Sequence, residues 1–317
     1  MSGTNGARFA ERLRRKRALL EAGDPAHEEI RPVLFISGGA ERVVYGAGVC
    51  IGLHRLRHSN SFDGAFGVSG GAAAIAYFFT GAERARAGAT ILFEECLSDR
   101  FVKQRFPLPL LDIDYLESIL RQGDKRLDTA AVLRHRTQFF VGVTRWENGE
   151  SVLLDAKVAQ PDMIAAIKAS LALTPVYQHP VVVNGERYTD GGMSEALPIE
   201  KMLALFKPTD LLFVSNYSLK ESREAGLSFQ EKMQDMVFLR RMPPTLRKAF
   251  SERHARTRDS TVFVEYAPVT KALLWADEEV QMFTRDTVKL RASLLKGIRD
   301  TLTLFGDTET APESLLP

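Results

Sequence analysis

Short apolar runs closed by glycine alternate along this chain with longer stretches whose apolar residues recur at helical spacing. Residues 33–36 (Val-Leu-Phe-Ile) form a continuous apolar run, the pattern of a strand buried on both faces. It ends in Ser37-Gly38-Gly39, after which Val49, Ile51, Leu53 and Leu56 predict a helix. Residues 62–68 predict a second strand, and the small apolar run 72–80 a helix stopped by Gly81. Strands 139–143 and 151–154 flank a turn at Asn148-Gly149 and pair as a hairpin. Pro161 opens a helix over 162–170, and strands 181–183 and 186–189 flank Asn184-Gly185, a type I′ signal. Residues 211–214 predict a buried strand and 262–266 the last one. Between them, 222–260 is helical and charged, interrupted at Pro243-Pro244, with Met233, Met236, Val237 and Leu239 as an apolar side. Strands alternating with helices predict an α/β layered architecture around a largely parallel sheet. No internal repeat is present.

The N-terminus adds an extension. Residues 1–6 are small and polar and are expected to be disordered, and 7–21 predict a helix with Phe9, Leu13 and Leu20 on one face. Its Arg8, Arg12, Arg14, Arg15, Lys16 and Arg17 outnumber Glu11 and Glu21. Such a helix either touches an anionic membrane or docks on the protein with a solvated basic face, the commoner fate. The expected organisation is therefore a basic helical extension (1–30), a core (31–218), a basic helical segment (219–260) and a C-terminal strand and helices completing the domain (261–317).

Composition narrows the function classes. In 317 residues, 45% are hydrophobic and 26% charged, the balance of a globular protein with a sizeable core. A net charge of +2 gives no case for nucleic acid. Cys50 and Cys96 stand outside any C-x-x-C or Cys/His cluster, so neither a zinc site nor a disulfide framework is expected. No apolar h-region follows the basic N-terminus, and no run reaches the roughly 18 apolar residues of a spanning helix. These features predict a cytoplasmic chain, at most peripheral at a membrane. A chain exported without a signal reads the same way.

Three segments carry candidate chemistry. Gly67-Val68-Ser69-Gly70-Gly71 joins a strand to a helix in the G-x-S-x-G spacing of a nucleophile elbow, where a sharp turn lifts a serine hydroxyl clear of its neighbours. The flanking glycines allow close packing, and the helix N-terminus offers amide donors where negative charge develops. The plain alternative is a glycine-rich turn packed for its own sake. Ser37-Gly38-Gly39-Ala40-Glu41-Arg42 follows the first strand and frees backbone N–H groups for an anion. It lacks the G-K-[ST] of a phosphate loop, and Gly46 and Gly48 fall inside the following helix, against a dinucleotide fingerprint. An oxyanion hole completed by the amide after Ser69 is the better use. Tyr188-Thr189-Asp190-Gly191-Gly192 closes the hairpin, with a carboxylate available to take the Ser69 proton or simply an Asp-Gly turn. A histidine triad is hard to assemble. Beyond Asp190 only His254 remains, in a polar basic stretch, and His179 starts a hairpin strand.

Taken together, the motifs at 37–49, 62–72 and 169–199 resemble the patatin-like phospholipases. The last is the most specific: Ala169-Ser170, a proline, an Asn-Gly hairpin, Asp190-Gly191-Gly192 and a following Leu197-Pro198. The resemblance spans roughly 32–214 and implies a three-layer α/β/α fold. It also implies hydrolysis of lipid acyl esters by a Ser-Asp dyad without cofactor or metal. Ser69 becomes the nucleophile, Asp190 the base, and Gly38, Gly39, Ala40 and Gly70 the oxyanion hole. Arg42, Gly67, Gly71, Gly191 and Gly192 support the motifs. The substrate would be a phospholipid or other acyl-ester lipid, met through a peripheral membrane contact, and the basic 240–258 stretch either contributes to that contact or is a solvated helical face. Phe78, Phe79, Phe106, Leu108 and Leu110 are candidates for an acyl groove, although core packing is the commoner fate of such residues, and 107–111 for part of a lid. Two positions depart from the family's G-G-G-x-[RK]-G: Ala40 and Val43 replace glycines. A β-branched residue fits poorly where φ is positive, so at Val43 either the backbone differs locally from the family's or the loop needs a partner to form. The alternatives are a soluble esterase or thioesterase on the same site, or a catalytically weak lipid-binding or regulatory module. Oligomeric state is not legible.

Overall fold

A computed structural model describes residues 2–103, 110–223, 229–277, 280–281 and 284–316. Helix α1 (Ser2–Ala22) precedes strand β1 (Pro32–Ile36), a 3-10 turn (Ala40–Val43) and α2 (Val44–Arg55). Then follow β2 (Gly64–Val68), α3 (Gly70–Phe78), α4 (Ala82–Glu94), a small ladder of β3 (Val102–Lys103) with β4 (Leu110–Leu111), α5 (Ile113–Arg121) and α6 (Thr129–Arg134). The hairpin β5 (Gln138–Arg145) and β6 (Ser151–Asp155) leads to α7 (Met163–Leu171) and the hairpin β7 (Val181–Val183) and β8 (Glu186–Asp190). The chain closes with α8 (Ile199–Phe206), β9 (Asp210–Ser215), α9 (Leu219–Arg223), α10 (Phe229–Arg241), α11 (Pro244–Tyr266), β10 (Thr270–Trp275) and α12 (Thr287–Leu304).

The eight-stranded sheet runs β10-β9-β1-β2-β5-β8-β7, with β6 also on β5. From β10 to β5 every neighbour is parallel, whereas β6, β7 and β8 pair antiparallel. The continuous apolar runs reflect burial on both faces. Leu34, Ile36, Leu212 and Val214 join Phe9, Leu13, Tyr45 and Val49 in one core, while Val33, Phe35, Leu211 and Phe213 meet Ile199, Met202 and Val264 in another. The result is the three-layer α/β/α arrangement of the expected fold class.

Gly48 of α2 and Gly297 of α12 lie at a close helix crossing, where an added Cβ on Gly48 would fall 3.1 Å from the backbone N of Ile298. The glycines that mimic a dinucleotide fingerprint thus serve helix packing.

Three expectations need correction. Residues 262–266 are not a strand but the last turns of α11, and the final strand is β10. A short apolar run fits a helix end as well as a strand, and here Val264 is buried against the sheet from α11. Helix α11 accordingly runs through the expected boundary at 260–261. Secondly, residues 2–6 belong to α1, tied down where the Asn5 side chain accepts from the Lys271 amide at 3.1 Å. Finally, the basic residues of α1 face inward more than expected. Arg12 reaches Asp210 at 2.5 and 2.9 Å, and Lys16, 1% exposed, reaches Asp63 at 2.9 Å. No helix among the described residues is long and apolar enough to cross a membrane.

Candidate active site

Strand β5 is the ruler that assembles the site. Its Gly142 pairs with Val68 and its next residue, Val143, pairs with Asp190. Consecutive register positions therefore bring the end of β2 beside the end of β8, and Ser69 beside Asp190. The close approach needs glycine: a Cβ on Gly191 would fall 2.7 Å from the Gly142 carbonyl carbon, and one on Gly142 2.8 Å from Val68 Cγ2.

Ser69 sits between β2 and α3 with φ 53° and ψ −132°, a backbone region that costs a non-glycine residue on the order of 1–3 kcal/mol. A Cβ on Gly67 would lie 2.5 Å from Ala72 Cα, and one on Gly71 2.6 Å from the Ser37 carbonyl oxygen, so both elbow glycines are sterically required. The elbow is held from below. The Ser69 N–H donates to the Ser170 hydroxyl at 2.7 Å, which donates to the Gly142 carbonyl at 2.7 Å.

Asp190 is 2% exposed. Burial pushes its carboxyl up to about 7, opposed by hydrogen bonds from the Ser69 hydroxyl and the Gly192 amide, the latter at 2.7 Å. Thr144 donates its hydroxyl to the Asp190 carbonyl at 2.8 Å, and the Asp190 N–H donates to Ala172 at 3.2 Å. A buried carboxylate that titrates near neutrality and is hydrogen-bonded to a hydroxyl is able to accept its proton.

The 37–42 loop leaves the carboxyl end of β1 beside that of β2. Gly38 passes so close to Ser69 that an added Cβ would lie 2.8 Å from Ser69 Cβ. Gly39 has φ 145° and Ala40 φ 50°, and the 3-10 turn then runs into α2. The first amides of this helical run and of α3 at Gly70 have no intrahelical acceptor, and both helix starts lie beside Ser69. Of the two readings of Val43, the locally different backbone is the one observed. Val43 has φ −62° and ψ −12°, an ordinary helical conformation, and its side chain packs on Gly70. The positive φ falls at Ala40.

Residues outside the sequence expectation fasten this loop. Asn216, directly after β9, donates its side-chain amide to the Ser37 carbonyl at 2.6 Å and accepts the Gly46 N–H at 2.9 Å. Its own N–H donates to the Ser37 hydroxyl at 2.8 Å. Arg42 reaches the Val280 carbonyl at 2.8 Å and Glu221 at 3.1 Å, with its guanidinium 5.0 Å from the Tyr217 ring centroid. Asn216 carried one legible signal, a polar side chain at the carboxyl end of a buried strand, where α/β sheets place ligands.

Ser69 and Asp190 open onto a cavity of about 700 Å³. Its polar mouth includes Tyr217, Glu221, Ser222, Asp235, Arg253 and His254. His254 lies 3.4 Å from Asp235, which also takes a 2.5 Å bond from Arg253. The deeper part is apolar, between α2, α3, α4 and α5. Phe78 and Phe79 do not line it: they pack in the core against His54 and Phe62, and against His135 and Phe139. Leu110 is half-buried outside the cavity and its neighbour Leu111 lines it. Phe106, Leu108 and most of the expected lid stretch lie outside the described residues. His179 is exposed, edge-on to Tyr177. No group of three or more His, Cys, Asp or Glu suited to a metal occurs among the described residues.

Comparisons with known proteins bear on identity. The chain is 29% identical over 176 residues to the uncharacterized protein YjjU of Escherichia coli (strain K12), a match covering 54% of this chain and 48% of that protein. The chain thus spans about half the length of this curated relative. Among solved structures, VipD from Legionella pneumophila superposes with a TM-score of 0.46 at 13% identity, over 87% of this chain and 67% of that one. The family pattern described as patatin-like phospholipase matches residues 34–203, more than half of the chain, and so the chain belongs to the patatin-like phospholipase family.

Proposed function

We propose that this protein is a lipid acyl hydrolase of phospholipase A type that works through a Ser69–Asp190 dyad and an acyl-enzyme. One observation carries the reading: strand register sets Ser69 beside the buried carboxyl of Asp190, and both line the head of an apolar cavity. Asp190 takes the hydroxyl proton as Ser69 Oγ attacks the ester carbonyl. The amides of Gly39, Ala40 and Gly70 receive the oxyanion, with Gly38 shaping the approach to Ser69. The alcohol or lysolipid leaves with a proton from Asp190. Water, deprotonated by the same carboxylate, then releases the fatty acid and restores the hydroxyl. Membrane lipid reaches the mouth by peripheral contact, to which the exposed Arg240, Arg241 and Lys248 contribute about 1 kcal/mol each at an anionic surface.

The test is lipid analysis of mixed liposomes treated with wild type, Ser69→Ala and Asp190→Asn, alongside fluorophosphonate labelling. Free fatty acid released by wild type alone supports the dyad. Activity surviving Asp190→Asn means another base, and a folded protein that Ser69 probes never label is not a serine hydrolase. Faster hydrolysis of monomeric than of micellar esters would identify a soluble esterase.

A further inference from the structure

The apolar part of the cavity is a channel with a direction. Along α3 its lining residues are Gly70, Ala73, Ala74 and Tyr77, one helical stripe starting at the nucleophile. Ala73 and Ala74 keep accessible surface although Ala72, Ile75 and Ala76 beside them are buried, so that surface belongs to the channel.

The other walls run in register with α3. At the upper end Val43 packs on Gly70, and Leu111, just before α5, donates its N–H to Val176 at 2.9 Å. At the lower end Gly88 of α4 lies under Tyr77, where an added Cβ would come within 2.8 Å of Tyr77 Cβ. The Tyr77 hydroxyl donates to the Lys125 carbonyl, and Leu127 of the same segment donates its N–H to Leu120 of α5 at 2.9 Å. Tyr77, Gly88 and Leu120 therefore share one level, the far end from Ser69.

We infer that Tyr77 is the floor of an acyl channel and sets the length of chain the protein accepts, an inference that rests on the proposed acyl chemistry at Ser69. Tyr77 lies eight residue steps after Ser69, about 12 Å at the helical rise. An extended chain with C–C bonds of about 1.52 Å advances ~1.25 Å per carbon. The floor thus meets a straight chain near its tenth carbon. Three contacts hold the ring in that position. Gly88 gives it room, the Lys125 carbonyl anchors its tip, and burial holds the hydroxyl in its neutral form.

The test is equilibrium binding of straight-chain fatty acids of three to sixteen carbons, below their micelle concentrations, to the full chain. In wild type, affinity rises about three- to fourfold per added carbon and levels off near ten carbons. In Tyr77→Ala the rise continues past twelve. Ala73→Leu, which fills accessible space about 6 Å below Ser69, moves the plateau down to about five carbons and needs no cavity in the core. A wild-type affinity that keeps climbing to sixteen carbons, or a plateau that neither substitution moves, overturns the assignment, as does absence of fatty-acid binding. The proposed chemistry is read separately, by Ser69-dependent hydrolysis of a butyrate ester. Length-limited binding without such hydrolysis leaves the channel standing and removes the enzyme.

Discussion

The Ser69 backbone N–H and the Ser170 hydroxyl are hydrogen-bonded at 2.7 Å, and the same hydroxyl donates to Gly142 at 2.7 Å. One buried oxygen thus ties the elbow to strand β5, which also sets the position of Asp190. Ser170→Ala leaves a buried N–H and a buried carbonyl without this partner, a loss of about 1–3 kcal/mol in stability. Because the elbow serine is strained, its release also costs geometry. The expected result is a kcat lower by about 10- to 100-fold with KM little changed. Urea unfolding and ester kinetics check both. A variant with lower stability and unchanged kcat would make Ser170 a packing residue only.

Asn216 does for the oxyanion loop what Ser170 does for the elbow. Its side chain spans the Ser37 carbonyl and the Gly46 N–H, the two ends of the turn that carries Gly38, Gly39 and Ala40. Asn216→Ala frees that turn, and loss of one oxyanion donor typically costs roughly 10²–10³ in rate. A partly misplaced loop is expected to lower kcat about 10- to 100-fold while Ser69 still hydrogen-bonds Asp190. Stopped-flow acylation with an activated ester measures this step, and unaltered acylation would remove Asn216 from the loop's support.

The turns that carry Ser69 and Asp190 were legible in the sequence because turns declare themselves. Glycines around Ser69, after β1 and after Asp190 mark close backbone approach, and the structure bears this out atom by atom at Gly67, Gly71 and Gly191. The supports were not legible. Ser170 and Asn216 act through contacts 101 and 179 residues away in the chain, and their local signals, a motif serine and a polar residue at a strand's carboxyl end, do not tell what the side chains hold. The cavity-lining residues were hard to pick out for a related reason. Phe78 and Phe79 are large and apolar, but a channel wall needs residues that leave space, and α3 supplies Ala73 and Ala74 instead. The misread strand at 262–266 is a short apolar run, Val262-Phe263-Val264, a pattern that a helix end burying Val264 against the sheet shares with a strand.

Asp190 makes both activity and stability depend on pH, in opposite senses. Its carboxyl is raised by burial to about 7. As the base it must be ionised, so kcat/KM should rise with pH along a single-proton limb centred near pH 7. For stability, the native state holds a proton that the unfolded chain loses near pH ~4. Between these values the unfolded state binds fewer protons, and stability falls as pH rises. About 3 pH units correspond to up to ~4 kcal/mol. Asp190→Asn removes this burden, so it should gain stability over wild type between about pH 4 and pH 8 while losing activity. Equal pH dependence of unfolding in the two proteins would contradict a buried, raised carboxyl.

Ala40 and Val43 both replace family glycines, yet their backbones call for opposite outcomes when glycine is restored. Ala40 has φ 50°, where an L-residue is strained by about 1–2 kcal/mol. Glycine relieves that strain and returns part of the gain as unfolded-state entropy of about 0.4–1 kcal/mol. Ala40→Gly should therefore be stabilising by up to about 1 kcal/mol, with its amide still available to an oxyanion and kcat undiminished. Val43 is helical and 3% exposed, with its side chain packed on Gly70. Val43→Gly removes a buried side chain and adds helix-breaking freedom, for a loss of about 2–4 kcal/mol. It also removes the packing that steadies the Gly70 amide, so kcat should fall with stability. Thermal unfolding of the two single variants and their double mutant gives the comparison. A gain from Val43→Gly, or a loss from Ala40→Gly, would mean that the loop follows the family's glycine pattern at 43 rather than the one drawn from these dihedrals.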